Sequence, residues 1–285
     1  MQEIIRVSDV EKYYGNGDQV TKAVDRVSFA VQQGEFIGVM GASGSGKTTL
    51  LNLLSTIDRV TAGHIYYGDT DITELGEEQL SEFRKKQLGF IFQEYNLLDT
   101  LTLEENIMLV MTLHRRGKKE IQKRCSELLR ILGIEEVKDK YPYQVSGGQK
   151  QRLCIARALL KKPKILILDD SVSAVDTRTE KIILDNLKTT RAGKTTLLIA
   201  HRISTVEGMD KIVFLEDGRV EAVGTHDALY HSCPEYRRMV DLQRLEDETA
   251  DSSDAVGTSD IADSVDAPEH ASESVEKCEG GASHD

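Results

Sequence analysis

The chain has 285 residues, of which 39% are apolar, so it can form one large domain or two small ones. No apolar run approaches the roughly 20 residues of a membrane span, and the charged start does not resemble a secretion signal. The four cysteines show no CxxC spacing, which argues against a zinc site or a disulfide framework. These features predict a cytosolic protein.

The formal net charge of −12 arises entirely from the C-terminus. Residues 246–285 hold thirteen acids and one base, so the rest of the chain is neutral. This segment is rich in Ser, Ala, Asp and Glu and has no aromatic residue, which predicts a disordered acidic tail. We interpret it as a solubilising tail, with a docking segment as the alternative. A neutral body and an acidic tail also argue against a nucleic-acid partner.

Strand and helix patterns alternate along the first half of the chain. The first 36 residues alternate loosely between apolar and polar positions, which predicts an antiparallel β-region. A short apolar strand follows and leads into a glycine-rich loop and a helix with one apolar face. Residues 61–72 then predict another hairpin, and residues 88–93 a short strand that ends at Gln93.

The second half continues the alternation. Residues 103–160 have a helical pattern that glycines interrupt. The segments 164–170 and 195–201 are apolar and rich in β-branched residues, like strands buried on both faces of a parallel sheet, and a helical pattern separates them. A last hairpin is predicted to turn on Asp217 and Gly218. This order of elements predicts an α/β fold.

Residues 41–48 match the phosphate-loop pattern G-x-x-x-x-G-K-[ST] between a strand and a helix. Its glycines allow backbone N–H groups to turn inward around an anion, and the helix start adds the positive end of its dipole. Lys47 is expected to reach the β- and γ-phosphates, and the Thr48 hydroxyl to bind magnesium. The predicted nucleotide-binding residues here are Gly41, Ala42, Ser43, Gly44, Ser45, Gly46, Lys47, Thr48 and Thr49.

A distant acid completes the predicted site. Asp169 ends an apolar strand, and we expect this strand to lie beside the one that precedes the phosphate loop. A hard cation that bridges phosphate oxygens requires a carboxylate there. Thr48 and Asp169 together therefore predict a site for ATP and Mg²⁺.

Residues 145–152 read VSGGQKQR and place a serine and two glycines before a helix, which makes a second anion-binding helix start. A second start in a chain that already has a phosphate loop suggests a nucleotide held between two subunits. The stretch closely resembles the signature motif of ATP-binding cassette (ABC) ATPases, and this resemblance covers about residues 3–235. It implies a nucleotide-binding domain over residues 1–245, with a P-loop core and mixed sheet, an antiparallel β-subdomain and a helical subdomain at about 94–160. It also implies a head-to-tail dimer that encloses two ATP molecules.

The resemblance implies roles for further residues. Tyr14 looks like the aromatic residue that stacks on adenine, with neighbouring Tyr13 as its rival. Gln93 resembles the glutamine that senses magnesium, the attacking water and the membrane partner, and His201 resembles the switch histidine that contacts the γ-phosphate. The residues that resemble those acting across the dimer interface are Ser146, Gly147, Gly148, Gln149 and Asp176.

The stretch between Gln93 and Ser146 has room for a compact helical subdomain but not for the long coiled coil of DNA-repair relatives. One cassette without membrane spans is similar to the ATPase subunit of a transporter with a separate permease, at the cytoplasmic face of the membrane. The family docks its permease near Gln93–Leu98. Here Tyr95, Leu97 and Leu98 are expected as exposed apolar anchors, and packing in the helical subdomain is the alternative.

The first half closely resembles ATPases of bacitracin-type antimicrobial-peptide resistance transporters, near lipoprotein-releasing and macrolide-exporting relatives. The second half resembles cassettes of fused multidrug exporters. The first resemblance implies export or release of an antimicrobial peptide or a lipid-linked compound. The alternatives are a multidrug-type efflux ATPase in an asymmetric heterodimer, and a non-transport switch that dimerises on binding ATP.

Asp170 stands where the family has a glutamate that polarises the attacking water. Its carboxylate falls short of that position by one carbon–carbon bond, about 1.5 Å. A misplacement of about 1 Å can cost on the order of a hundredfold in rate. We therefore predict near-normal ATP binding and slow hydrolysis, unless a shifted backbone or a bridging water restores the reach. The expected catalytic residues are Asp170, His201 and Gln93.

Overall fold

The structure is a computed structural model that describes residues 2–15, 20–92, 94–112, 117–169 and 177–254. Contacts between residues group the chain into two units, Met1–Arg244 and Leu245–Asp285. None of the helices in these described ranges is long and apolar enough to cross a membrane. Three predicted site residues lie outside the described residues: Gln93, Asp170 and Asp176.

The strands form two sheets. In chain order they are β1 (Glu3–Tyr14), β2 (Thr21–Gln32), β3 (Phe36–Met40), β4 (Ala62–Tyr67), β5 (Thr70–Asp71), β6 (Leu88–Ile91), β7 (Ile165–Leu168), β8 (Thr195–Ile199), β9 (Lys211–Glu216) and β10 (Arg219–Gly224). One sheet is antiparallel, with the order β2-β1-β4-β5. The other is mixed, with the order β10-β9-β3-β8-β7-β6, and only its β9–β10 pair is antiparallel. The predicted α/β fold, mixed sheet and antiparallel β-region are thus confirmed.

The position of the Asp169 strand corrects one prediction. Strand β7 does not lie beside β3, because β8 pairs in parallel with both of them. Phe36 of β3 and Ile165 of β7 align with Thr196 and Thr195 of β8. The apolar sequences of these strands predict burial but contain no information on which strand takes the central position.

The helices are α1 (Lys47–Leu54), α2 (Glu77–Gln87), α3 (Leu103–Thr112), α4 (Lys118–Ile131), α5 (Gly147–Leu160), α6 (Thr177–Thr190), α7 (Ile203–Val206), α8 (His226–Ser232) and α9 (Pro234–Asp254). Helices α3, α4 and α5 fall within residues 103–160, where the sequence predicts helices. Buried residues of all three belong to one hydrophobic cluster, including Ile107, Leu129 and Ile155. These helices form the predicted helical region.

The mixed sheet separates two hydrophobic clusters. Successive strand residues point to opposite faces, so Leu166 and Leu168 join the cluster that contains α3, α4 and α5. Ile165 and Ile167 join the cluster on the other face, which contains α1 and the antiparallel sheet. Burial on both faces explains why β7 is apolar at every position.

Helix α9 changes the description of the acidic tail. It continues to Asp254, nine residues into the segment where the sequence predicts disorder. Extending an established helix requires no new nucleation, so a short run of acidic and small residues can continue it. The rest of the predicted tail, residues 255–285, lies outside the described residues, and the domain boundary after residue 245 remains a prediction.

Candidate nucleotide-binding site

The phosphate loop connects the end of β3 to the start of α1. Gly41, Gly44 and Gly46 all have positive φ angles, of 150°, 84° and 94°, a region that side chains disfavour. The Lys47 ammonium donates hydrogen bonds to the carbonyl oxygens of Gly41, at 2.9 Å, and Ala42, at 2.8 Å. The loop thus has the backbone conformation for which its glycines are required, and it holds a buried cation.

Neighbouring strands hold the phosphate loop in place. The backbone N–H of Gly218, in the β9–β10 turn, donates to the Ser45 carbonyl at 3.2 Å, and the Asp25 N–H donates to the Gly218 carbonyl at 2.8 Å. The predicted turn is confirmed, since Asp217 and Gly218 both have positive φ. A Cβ atom on Gly46 would lie 2.3 Å from the Ala23 carbonyl oxygen. The loop is therefore packed between β2 and the β9–β10 hairpin.

The oxygen atoms around the loop suit phosphate and a hard cation. The Ser45 hydroxyl is buried and has no hydrogen-bond partner within the described residues, so it is free to serve a ligand of the loop. Thr48 follows Lys47 in α1 and contributes a side-chain hydroxyl, and the Asp169 side chain is a buried carboxylate. Hydroxyl and carboxylate oxygens are the ligand type that Mg²⁺ prefers, so this donor set fits magnesium.

The strand register brings three predicted residues to one edge of the mixed sheet. Val39 of β3 aligns with Ile199 of β8, so Gly41 and His201 each lie two residues beyond an aligned pair. Leu168 aligns with Leu198, which places Asp169 at the same edge. The Asp169 N–H donates to the Ile91 carbonyl at 3.0 Å and so continues the ladder past the end of β7. In parallel α/β sheets, ligands bind at this carboxyl edge.

The two candidate tyrosines lie on opposite faces of β1, because successive side chains of a strand alternate in direction. The Tyr14 hydroxyl donates to Asp58 at 2.7 Å, and 43% of Tyr14 is exposed. Burial and the Asp58 carboxylate raise the pKa of Tyr14, whereas a hydrogen bond with Thr49 of α1 acts in the opposite direction. The Tyr13 hydroxyl instead donates to Glu11. The structure thus places Tyr14, rather than Tyr13, beside the phosphate-loop helix.

The signature residues begin helix α5. The Gln149 N–H donates to the Ser146 hydroxyl at 3.3 Å, and the Ser146 N–H donates to the Gln149 side chain at 3.0 Å. This reciprocal pair is a capping box, and it gives both residues a role within the chain. Gly147 and Gly148 occupy the first two helical positions, where backbone N–H groups have no partner within the helix. The role of these residues across a dimer stays a prediction.

The segment that follows Gln93 is fixed to two helices. The Arg157 guanidinium of α5 donates to the carbonyl oxygens of Asn96, at 2.7 Å, and Tyr95, at 2.9 Å. The buried Asn106 side chain of α3 accepts from the Leu98 N–H at 2.9 Å and donates to the Leu98 carbonyl at 3.0 Å. The segment thus keeps a defined shape without regular secondary structure.

The predicted apolar anchors in this segment need correction. Tyr95 and Leu97 pack against the hydrophobic cluster of the helical region, whereas 48% of Leu98 is exposed. Burial alternates from residue 94 to residue 98, so the chain directs every second side chain inward. Of the three, Leu98 alone is exposed, and Tyr95 and Leu97 are partly buried in core packing.

Several residues that hold the site loops in position could not be predicted from the sequence. Arg157 and Asn106 fix the segment after Gln93, and Gln243 of α9 contacts the backbone on both sides of Arg202. No local pattern predicts these contacts, because each joins positions that are distant in sequence. The Ser146 capping box did have a local signal, the S-x-x-Q spacing before a helix.

Comparisons with known proteins agree with this geometry. The model of the ABC transporter family matches residues 24–173. The bacitracin export ATP-binding protein BceA of Halalkalibacterium halodurans is 40% identical, over 76% of this chain and 87% of the relative. A dimeric structure of the ATP-binding cassette MJ0796 bound to ADP and Pi has a TM-score of 0.73 and 34% identity, over 78% of this chain and 98% of that one. A bacterial Atm1-family ABC exporter with ATP bound has a TM-score of 0.73 and 28% identity, over 85% of this chain and 42% of that one.

The family match extends over the phosphate loop, Asp169 and the signature residues at the start of α5. The fold is the nucleotide-binding domain of an ABC ATPase. The chain belongs to the ABC transporter family, as an ATP-binding and ATP-hydrolysing subunit.

Proposed function

We propose that the chain powers export or release of an antimicrobial peptide or a lipid-linked compound through a separate permease. The observation that carries this proposal is the 40% identity, over 222 residues, to a protein named for bacitracin export. The first half of the chain carries the motifs that resemble that group. In this proposal the chain lies at the cytoplasmic face of the membrane, bound to its permease.

Each residue of the site has a separate role in ATP hydrolysis. The phosphate loop and Lys47 hold the phosphates, and the side chains of Thr48 and Asp169 would hold Mg²⁺, which when bound would supply positive charge to the transferred phosphoryl group. His201 presents its ring to the γ-phosphate from the end of β8. The water is oriented by Asp170, whose short side chain makes hydrolysis slow, and by Gln93.

A second cassette completes each ATP site. The dimeric MJ0796 structure supports this arrangement, since that cassette is similar to this chain over nearly all of its own length. Ser146, Gly147, Gly148 and Gln149 of one subunit then face ATP bound at the phosphate loop of the other, and Asp176 links the two sites. Backbone N–H groups at the start of α5 can bind the γ-phosphate, because a helix start attracts anions.

The permease docks at residues 93–98. Beside this segment lies a groove of about 370 Å³ between β6, α3 and α5. Its lining includes Phe90, Phe92, Leu98, Leu109, Arg157 and Lys161. Leu98 and Leu109 are partly exposed, and Arg157 connects the groove to the backbone of Tyr95 and Asn96. An apolar groove with cations beside it suits a short amphipathic helix of the permease.

Two measurements test this function. Deleting the chain from its host is expected to raise susceptibility to bacitracin-type peptides, and an unchanged inhibitory concentration would contradict the proposed substrate class.

The tagged full chain is expected to co-purify with a membrane protein that accelerates its ATP turnover. Leu98→Asp is expected to abolish that acceleration and leave basal turnover unchanged, whereas Leu242→Asp, an equally exposed leucine on α9, keeps both. Equal acceleration of both variants would rule out docking at Leu98.

A multidrug-type efflux ATPase in an asymmetric heterodimer is the second candidate. The likeness to the Atm1-family exporter favours it, as does Asp170 in place of glutamate. Purification of the native complex distinguishes the two candidates. Two different cassettes in equal amounts support the heterodimer, and two copies of this chain exclude it.

A further inference from the structure

The amide of Gln243 joins helix α9 to the loop that carries His201. Its Nε2 donates to the His201 carbonyl at 2.8 Å, and its Oε1 accepts from the Ile203 N–H at 2.6 Å. Only one orientation of the amide satisfies both contacts, since the reversed group would place donor against donor and acceptor against acceptor. One side chain thus fixes the two peptide groups that flank Arg202.

This contact supplies what the loop itself lacks. Ile203 is the first residue of α7, and the Arg202 side chain before it makes no cap hydrogen bond. The N–H groups at a helix start have no partner within the helix. Gln243, forty positions later, accepts one of them and so provides the cap from another helix.

The helix that carries Gln243 and the loop that it contacts are both held by further contacts. On α9, Tyr236 and Val240 are fully buried and lie on the same face as Gln243, seven and three residues before it. On the loop, the Arg202 guanidinium pairs with the buried Glu180 of α6 at 3.1 Å, and the Thr205 hydroxyl donates to the same carboxylate. The amide therefore connects two parts of the first unit that are each held by buried contacts.

We propose that Gln243 is a positioning residue for ATP hydrolysis, which acts by fixing the backbone that presents His201 at the carboxyl edge of the sheet. This inference rests on the proposed role of His201 at the γ-phosphate. It gives helix α9 a direct influence on the turnover step. An error of about 1 Å in a reacting geometry can cost on the order of a hundredfold in rate.

The test compares five variants of the full chain in single-turnover ATP hydrolysis. Gln243→Met keeps the length and loses both hydrogen bonds, and Gln243→Glu keeps the acceptor and loses the donor. Both are expected to lower the rate about tenfold or more, while the ATP concentration at half-maximal rate changes less than about twofold. His201→Ala is expected to be slow, and the double variant His201→Ala with Gln243→Met no slower than it, because both changes remove one effect. Leu242→Ala, at the neighbouring exposed position, is expected to match the unaltered chain.

The outcomes distinguish a failure of the role proposed for Gln243 from a failure of the role proposed for His201. An unchanged rate in His201→Ala overturns the role of that histidine, and with it the inference. A slow His201→Ala beside a normal Gln243→Met overturns only the inference, as does a double variant whose loss is the product of both single losses. A lower unfolding temperature with weaker ATP binding in both Gln243 variants would show a purely structural role and would also overturn it.

Discussion

Gly41 and Leu215 approach so closely that a Cβ atom on Gly41 would lie 2.1 Å from the Leu215 carbonyl oxygen. The contact arises because β3 pairs directly with β9, so the first residue of the phosphate loop emerges against the backbone of the neighbouring strand. Gly41 also has a φ angle of 150°. Sterics and backbone conformation thus both exclude a side chain at this position.

Gly41→Ala is expected to lower the free energy of unfolding by at least about 2 kcal/mol and to prevent ATP binding, because the loop must move away from β9. Thermal unfolding and ATP titration measure both effects. Gly117→Ala is the control, since a Cβ atom there would meet nothing within 4 Å and its φ angle of −65° suits alanine. A Gly41→Ala variant that binds ATP normally would contradict the packing of the loop.

Tyr14→Ala is expected to weaken ATP binding by about 1–3 kcal/mol, roughly fivefold to a hundredfold, the usual contribution of an aromatic ring stacked on a base. Tyr14→Phe keeps the ring and is expected to bind almost normally. Tyr13→Ala is the matched control on the opposite face of β1. Equilibrium ATP titration ranks the three variants, and greater loss in Tyr13→Ala would identify that residue as the stacking partner.

Asp170→Glu is expected to raise ATP turnover, by up to about a hundredfold, because the longer carboxylate reaches the attacking water. Affinity for ATP is expected to stay unchanged. The same one-methylene extension at the neighbouring residue, Asp169→Glu, is expected to lower turnover, since it displaces the buried carboxylate that we propose as a magnesium ligand. Steady-state hydrolysis with the permease present measures both variants. Equal turnover in Asp170→Glu and the unaltered chain would show that Asp170 already reaches the water.

Ionisation of Asp25, near the phosphate loop, makes the stability of the folded chain depend on pH. Hydrogen bonds from Lys22 and Arg219 hold the pKa of the Asp25 carboxyl below its ordinary value. The carboxylate therefore stabilises the folded chain above the unfolded pKa, about 4, and this contribution is lost as the pH falls through the lower folded value. Asp25→Asn is expected to flatten the fall in unfolding temperature below about pH 5. Scans from pH 7 to pH 3 measure this, with the exposed Asp99→Asn as control; equal slopes in all three proteins would contradict it.

Features with a local physical cause could be predicted from the order of the amino acids. The phosphate loop depends on positive φ angles at Gly41, Gly44 and Gly46, and glycine is the residue that adopts them at least cost. The β9–β10 turn depends on Asp217 and Gly218 for the same reason. The all-apolar pattern of β7 likewise predicted a strand buried on both faces.

Features that join distant parts of the chain could not be predicted and are visible only in the fold. Strand β8 takes the place between β3 and β7 because its two edges pair with both, which the composition of the strands does not reveal. Leu98 is exposed and Tyr95 is half-buried because Arg157 and Asn106 fix the segment between them. The cap on α7 comes from Gln243 because α9 is packed through its own buried face. Local conformation follows from neighbouring residues, whereas strand order and long-range hydrogen bonds follow from packing of the whole chain.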